Sequence, residues 1–137
     1  MKEISLIISI KGNPSELHRD MFGLGEKVTD PEILKYAGEN TRYINTEAEI
    51  IDGVKITIPK GRKEKIQESF IESGYVDAWF VINVLATGYG ISELAFKITN
   101  WLLDKTQQFE KKVIVDGKEL KTKEEIKKAL EEILEED

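Results

Sequence analysis

Apolar and polar residues alternate with a period of two from Glu3 to Lys11: Ile4, Leu6, Ile8 and Ile10 share one face and Ser5, Ile7 and Ser9 the other, which predicts a strand. Gly12 closes it. Asn13 as N-cap, Pro14 at the first helical position and Glu16 at N3 then open a short helix over Pro14 to Phe22, with Leu17 and Met21 one turn apart and Gly23 as its stop. The stretch GLGEKVT reads as a linker to a second start signal, Asp30-Pro31-Glu32, whose helix carries Ile33, Leu34 and Ala37 and ends at Gly38. Tyr43 to Ile50 and Val54 to Ile58 read as two strands around Asp52-Gly53. A two-residue loop would set Glu49 and Glu47 beside Ile56 and Ile58, whereas a three-residue loop pairs Ile50, Ala48 and Thr46 with Val54, Ile56 and Ile58. The second choice aligns the apolar faces, so the expectation is a type I turn with a bulge and Gly53 in the left-handed region.

After Pro59, a helix from about Arg62 to Ser73 turns Ile66, Phe70 and Ile71 inward and stops at Gly74. It leads into Val76 to Leu103, the stretch around which the rest of the chain is arranged. From Ala78 to Ser92 there is no charge in fifteen residues, too short for a membrane helix of about 20 apolar residues. The β-branched and aromatic density of Trp79, Phe80, Val81, Ile82 and Val84 favours a strand over Ala78 to Leu85, covered on both faces, over a buried helix; periodicity alone leaves both open. Ile91, Leu94, Ala95, Ile98, Trp101 and Leu102 then form one helical stripe, giving an amphipathic helix to about Gln107, with Thr87 to Gly90 as the turn into it. Lys112 to Val115 and Lys118 to Leu120 flank Asp116-Gly117, a hairpin whose two-residue turn brings Val113 to Leu120. Thr122 and Glu125 make a capping box for a last helix striped by Ile126, Ala129, Leu130, Ile133 and Leu134, and its acidic end opposes the helix dipole and is expected to fray. The sum is an α+β fold: a single compact domain over residues 1–137, with a mixed, mostly antiparallel sheet, two Asp-Gly hairpins and about five helices packed on it.

Composition narrows the function classes. The 137 residues suffice for one domain with its own core. Without cysteine there is no disulfide, thiolate nucleophile or cysteine-based metal site, and with no signal-peptide pattern at MKEISLIISIK the expected compartment is cytoplasmic, with no membrane span. A net charge of −6 argues against nucleic acid or an anionic membrane as a general partner. Lys and Glu abound beside three arginines, a balance that leans towards a thermophilic source.

Candidate chemistry is sparse. His18 is the single histidine, and its setting His-Arg-Asp matches a kinase catalytic loop without any of the accompanying kinase motifs; a half-buried surface residue one turn from Phe22 is the expected role. Gly23 to Thr29 lacks the spacing of a phosphate loop. Gly88, Tyr89, Gly90 and Ser92, in a glycine turn that opens a helix, offer bare backbone N–H groups to an anion, while a tight, closely packed turn explains the same glycines. Arg19, Arg42 and Arg62 are candidate clamps for phosphate or carboxylate, and Asn83, the one polar residue of its apolar run, needs a partner or faces a ligand at the sheet end. Lys60, Arg62, Lys63 and Lys65 form a basic run. No catalytic residues, metal ligands or cofactor are indicated. From about Asp77 to Leu120 the run, turn, helix ending in Trp101-Leu102 and hairpin is similar in outline to small effector-associated components of bacterial conflict systems; the likeness includes no catalytic motif and stops short of the first half of the chain.

Two functions are therefore expected in order. The first is a non-enzymatic interaction or oligomerisation module, an adaptor or effector-associated component with a protein partner or self-association, because Trp79, Phe80, Tyr89, Phe96 and Trp101 put much aromatic surface in one segment. The alternative is a binder of a phosphate-bearing small molecule, with or without catalysis, at the Gly88 to Ser92 turn.

Overall fold

The computed structural model describes residues 2–37, 42–59 and 74–136. The twelve elements over these residues are β1 (Lys2–Lys11), α1 (Pro14–Phe22), β2 (Leu24–Lys27), α2 (Pro31–Ala37), β3 (Tyr43–Ile44), β4 (Glu47–Ile51), β5 (Val54–Thr57), β6 (Val76–Val84), α3 (Ile91–Lys105), β7 (Glu110–Val115), β8 (Lys118–Leu120) and α4 (Lys123–Glu135). Six strands form one sheet in the order β4-β5-β6-β1-β7-β8, with every pairing antiparallel. Four helices are present among the described residues; the helix expected at Arg62 to Ser73 and the basic run from Lys60 to Lys65 lie outside them.

β1 lies between β6 and β7 near the centre of this sheet, and Ile7 alone breaks its alternation of apolar and polar residues. Its register sets Ile4, Leu6 and Ile8 beside Ile82, Phe80 and Ala78 of β6, and Leu6 and Ile8 beside Val115 and Val113 of β7. These residues form a single cluster with Leu17, Met21 and Phe22 of α1, Leu94, Ala95, Ile98 and Leu102 of α3, and Ile126 and Leu130 of α4. The opposite face is apolar at its centre too, where Ile7, Val81 and Ile114 are buried. The stretch Val76–Val84, open between strand and buried helix on periodicity, is thus a strand between two neighbours, and its double apolar face follows from burial on both sides.

Three local expectations are corrected. GLGEKVT is not a bare linker: Leu24–Lys27 pairs with Tyr43–Ile44 as a two-stranded ribbon, and Gly25 lies so near that a Cβ would come within 2.7 Å of the Asn45 backbone nitrogen. The strand expected over Tyr43 to Ile50 is broken at Asn45, whose side-chain N–H groups donate to the Phe22 and Leu24 carbonyls at 3.0 and 3.2 Å. The first of these bonds satisfies a carbonyl at the end of α1, and together they turn the chain out of the ribbon into β4. The β4-β5 register begins as a two-residue loop, Ile51 opposite Val54, and shifts at a bulge so that Ala48 faces Ile56. The bulge buries Ile50 although it has no direct partner, and Gly53 takes the left-handed φ of 88° that the turn requires.

At α4 the capping box of Thr122 and Glu125 forms at the N-terminus. The C-terminus carries no basic residue of its own in the last turn, yet Lys2 donates its ammonium protons to the Ile133 carbonyl at 2.8 Å and to the Glu136 carbonyl. A cation from the first strand thus supplies what the helix sequence withholds. Replacing it tests this: Lys2→Met is expected to lower stability in chemical denaturation by about 1 kcal/mol and to speed amide exchange in the last turn of α4 selectively.

Candidate functional site

The loop that follows β6 is held by the β4-β5 turn. Leu85 N donates to Gly53 O at 2.8 Å, and a Cβ on Gly53 would press to 2.9 Å from the Thr87 methyl carbon, so turn and loop touch backbone to side chain. Beyond this anchor the chain is open. Gly88 and Gly90 have no positive φ, and a Cβ on either would meet nothing within 4 Å, so neither strain nor crowding requires glycine there. The tight, closely packed turn expected for them is therefore not what is found. Gly90 is the N-cap of α3 with extended backbone, φ −70° and ψ 159°, and has no side chain to cap the first turn. Glu93 brings a carboxylate to that turn, and Ser92 Oγ accepts from Lys127 Nζ at 3.1 Å.

The other residues singled out by sequence lie elsewhere. Arg19 is exposed in the last turn of α1, and Arg42 is exposed just before β3. Arg62 is outside the described residues. Asn83, next to last in β6, donates to Thr57 Oγ1 at 3.3 Å. It lines a cavity of about 480 Å3 with Glu3, Glu47, Thr46 and Thr57, an arrangement of carboxylates and neutral oxygens that repels anions. The described cavities do not join Asn83 or an arginine to the Gly88 to Ser92 turn.

Of the five aromatics in the central stretch, Phe80 is buried, Trp79 and Trp101 are half-buried, and Tyr89 and Phe96 are exposed. Lys97 Nζ lies 5.4 Å from the centre of the Tyr89 ring, and Lys123 Nζ lies 5.2 Å from that of Phe96. A second cavity, of about 400 Å3, opens between the β7-β8 hairpin and the start of α4. Lys111, Lys112, Lys121 and Lys123 line it, none of which was singled out from the sequence. The signal was there: pairing Val113 with Leu120 sets the two lysines before the hairpin beside those after it.

His18 is not the half-buried surface residue expected. It is fully buried, its ring stacked on Phe22 with centroids 6.1 Å apart and tilted against Phe80 at 5.3 Å. Nδ1–H donates to the Pro14 carbonyl at 2.7 Å, which leaves Nε2 as a lone pair without a hydrogen-bond partner. Burial pushes its pKa below the usual 6.5, outweighing the bond to Pro14. A core histidine held neutral in this way is a packing group with a pH liability. No group of three His, Asp or Glu suited to a metal is found among the described residues, and none of their helices is long and apolar enough to cross a membrane. No family model matches the chain, and neither the curated proteins nor the solved structures give a significant match.

Two outcomes follow. The unfolded chain takes up a proton at His18 near pH 6.5 while the folded chain resists it, so the stability is fully present above that pH and falls as pH drops below it. Between pH 7.5 and 5.5, wild type is expected to lose about 1 kcal/mol more than His18→Leu in parallel denaturant melts. Gly90→Ser adds a cap oxygen where the backbone already suits it and is expected to stabilise by about 0.5–1 kcal/mol, read as a raised Tm.

Proposed function

We propose that the protein is a non-enzymatic interaction module that docks a protein partner on residues 85–90 and the first turns of α3. The observation that carries this reading is a clustering of exposure: of seven exposed large hydrophobics among the described residues, Leu85, Tyr89, Ile91 and Phe96 fall within one short segment. Leu85 and Phe96 are 49% and 45% exposed, and Ile91, expected on the buried stripe of α3, is exposed too, whereas Leu94, Ala95, Ile98 and Leu102 of that stripe are buried. Apolar side chains left in water beside a packed core are the usual anchors of an interface.

Charge indicates the kind of partner. Lys97 and Lys123 stand over the two exposed rings, so the apolar positions carry a basic rim. A partner surface of apolar residues flanked by carboxylates complements it, whereas the same surface of a second copy sets lysines against lysines. The uncrowded backbone at Gly88 and Gly90 lets a partner chain come close without displacing side chains.

Selection of displayed random peptides on the immobilised protein tests this. Enriched sequences are expected to mix aliphatic or aromatic residues with Asp and Glu, and to bind Ile91→Asp and Phe96→Asp at least about tenfold more weakly while both variants keep their melting temperature. Peptides that bind wild type and both variants equally would overturn the proposal. A dimer by light scattering that Phe96→Asp dissolves would replace the partner with a second copy.

A further inference from the structure

The chain carries a net charge of −6, yet four of its lysines meet around one cavity. Lys111 and Lys112 come from β7, and Lys121 and Lys123 from the junction of β8 and α4; Glu119 is the one carboxylate among the described lining residues. The floor is apolar, made by Leu103 of α3, Val113, Leu120 and Ile126. A volume of about 400 Å3 is within the range of about 300–1,000 Å3 typical of small-molecule sites.

Lys111 gives the cavity its character. The residue is partly buried, and its ammonium donates to the carbonyl of Thr106, the C-cap of α3, at 3.1 Å. It makes no ion pair among the described residues, and an ammonium has three protons to give. Desolvation holds its pKa below the usual lysine value, the sign of a cation short of counter-charge. Lys112 lies 4.9 Å from the centre of the Tyr75 ring, and Tyr75 in turn donates its hydroxyl proton to Glu110 Oε2 at 2.9 Å. The N-terminus of α4 is partly closed to an anion, because the Glu125 carboxylate already accepts from the backbone N–H groups of Lys121 and Thr122 and the Glu125 N–H donates to the Thr122 hydroxyl.

We propose that this cavity binds a small amphipathic organic anion, its apolar body on the Leu103, Val113, Leu120 and Ile126 floor and its carboxylate or phosphate head on Lys111, with Lys112, Lys121 and Lys123 around it. An inorganic anion leaves the floor uncovered, and a neutral apolar molecule leaves Lys111 desolvated without a counter-charge. The proposal does not depend on the docking surface proposed above, which the cavity touches through Lys123, a lining residue that also lies over the Phe96 ring.

Amide-resolved NMR titration of the wild-type protein tests the inference, with octanoate and 1-naphthyl phosphate as probes and 1-naphthol and inorganic phosphate as controls. Saturable shifts are expected at the amides of Lys111 to Val113 and Leu120 to Lys123 for at least one organic anion, with either control binding at least about tenfold more weakly. The tighter of the two organic anions identifies the head group as carboxylate or phosphate. Lys111→Met is expected to weaken binding about tenfold, and Lys55→Met on β5, towards the opposite end of the sheet, to leave it unchanged. Should Lys111→Met fail to fold because α3 loses its C-cap, Lys121→Met carries the same expectation. Absence of saturable shifts at these amides for both organic anions, equal binding of a control, or unaltered binding in the lysine variant overturns it.

Discussion

Every strand of the main sheet takes its register from β1, directly or through its neighbours. Nine residue pairs join it to β6 and six to β7, and β5, β4 and β8 are placed by those two. The side-chain period of two makes this an all-or-none constraint. A slip of one residue would exchange Ile4, Leu6, Ile8 and Ile10, all fully buried against the helices, for Ser5, Ile7 and Ser9. At roughly 1.5–3 kcal/mol for each large aliphatic side chain moved between core and water, no rearrangement of turns or caps offsets such a slip. The turns adapt to it instead: the bulge in β4 absorbs the difference between a two-residue loop at Asp52-Gly53 and the register that faces Ala48 towards Ile56.

This explains which parts of the fold were legible. Strands and helices with an unbroken period and a local stop signal read correctly: β1 from its alternation, α1 from Asn13, Pro14 and Gly23, α4 from its capping box. What did not read was anything decided by a partner distant in sequence. Asn45 looks like a weak strand residue until the open carbonyl of Phe22 is beside it. Lys2 looks like a surface charge until the end of α4, more than a hundred residues later, presents its carbonyls. His18 looks amphipathic on a short helix, and only the arrival of Phe80 from the far half of the chain makes its site a closed one.

The candidate sites follow the same division. The aromatic excess of Val76 to Leu103 was visible in the sequence, but which of its rings are exposed was not, because Phe80 and Phe96 differ in what the sheet and helices place over them. The lysine-lined cavity combines a local fact, the hairpin pairing of Val113 with Leu120, and a long-range one, the approach of Leu103 from α3. A hairpin alone would spread four lysines into water; the helix behind them supplies the low-dielectric wall that makes their charge felt.

The two proposed sites share one side chain. Lys123 lines the cavity and also lies over the Phe96 ring, so an anion that draws this ammonium inward takes it away from the aromatic surface. The size of that coupling is bounded by what the ring contact contributes, about 0.5–1 kcal/mol for an exposed cation–π pair. Such an energy changes an affinity by a factor of only about two to five. The docking segment reaches Phe96 and the cavity begins at Leu103, about 10 Å further along α3, so the two proposed surfaces meet at Lys123 without sharing the apolar floor. If both proposals hold, the two occupants bind together, each modestly weakening the other through Lys123, and the reciprocity of linkage requires that the two effects be equal.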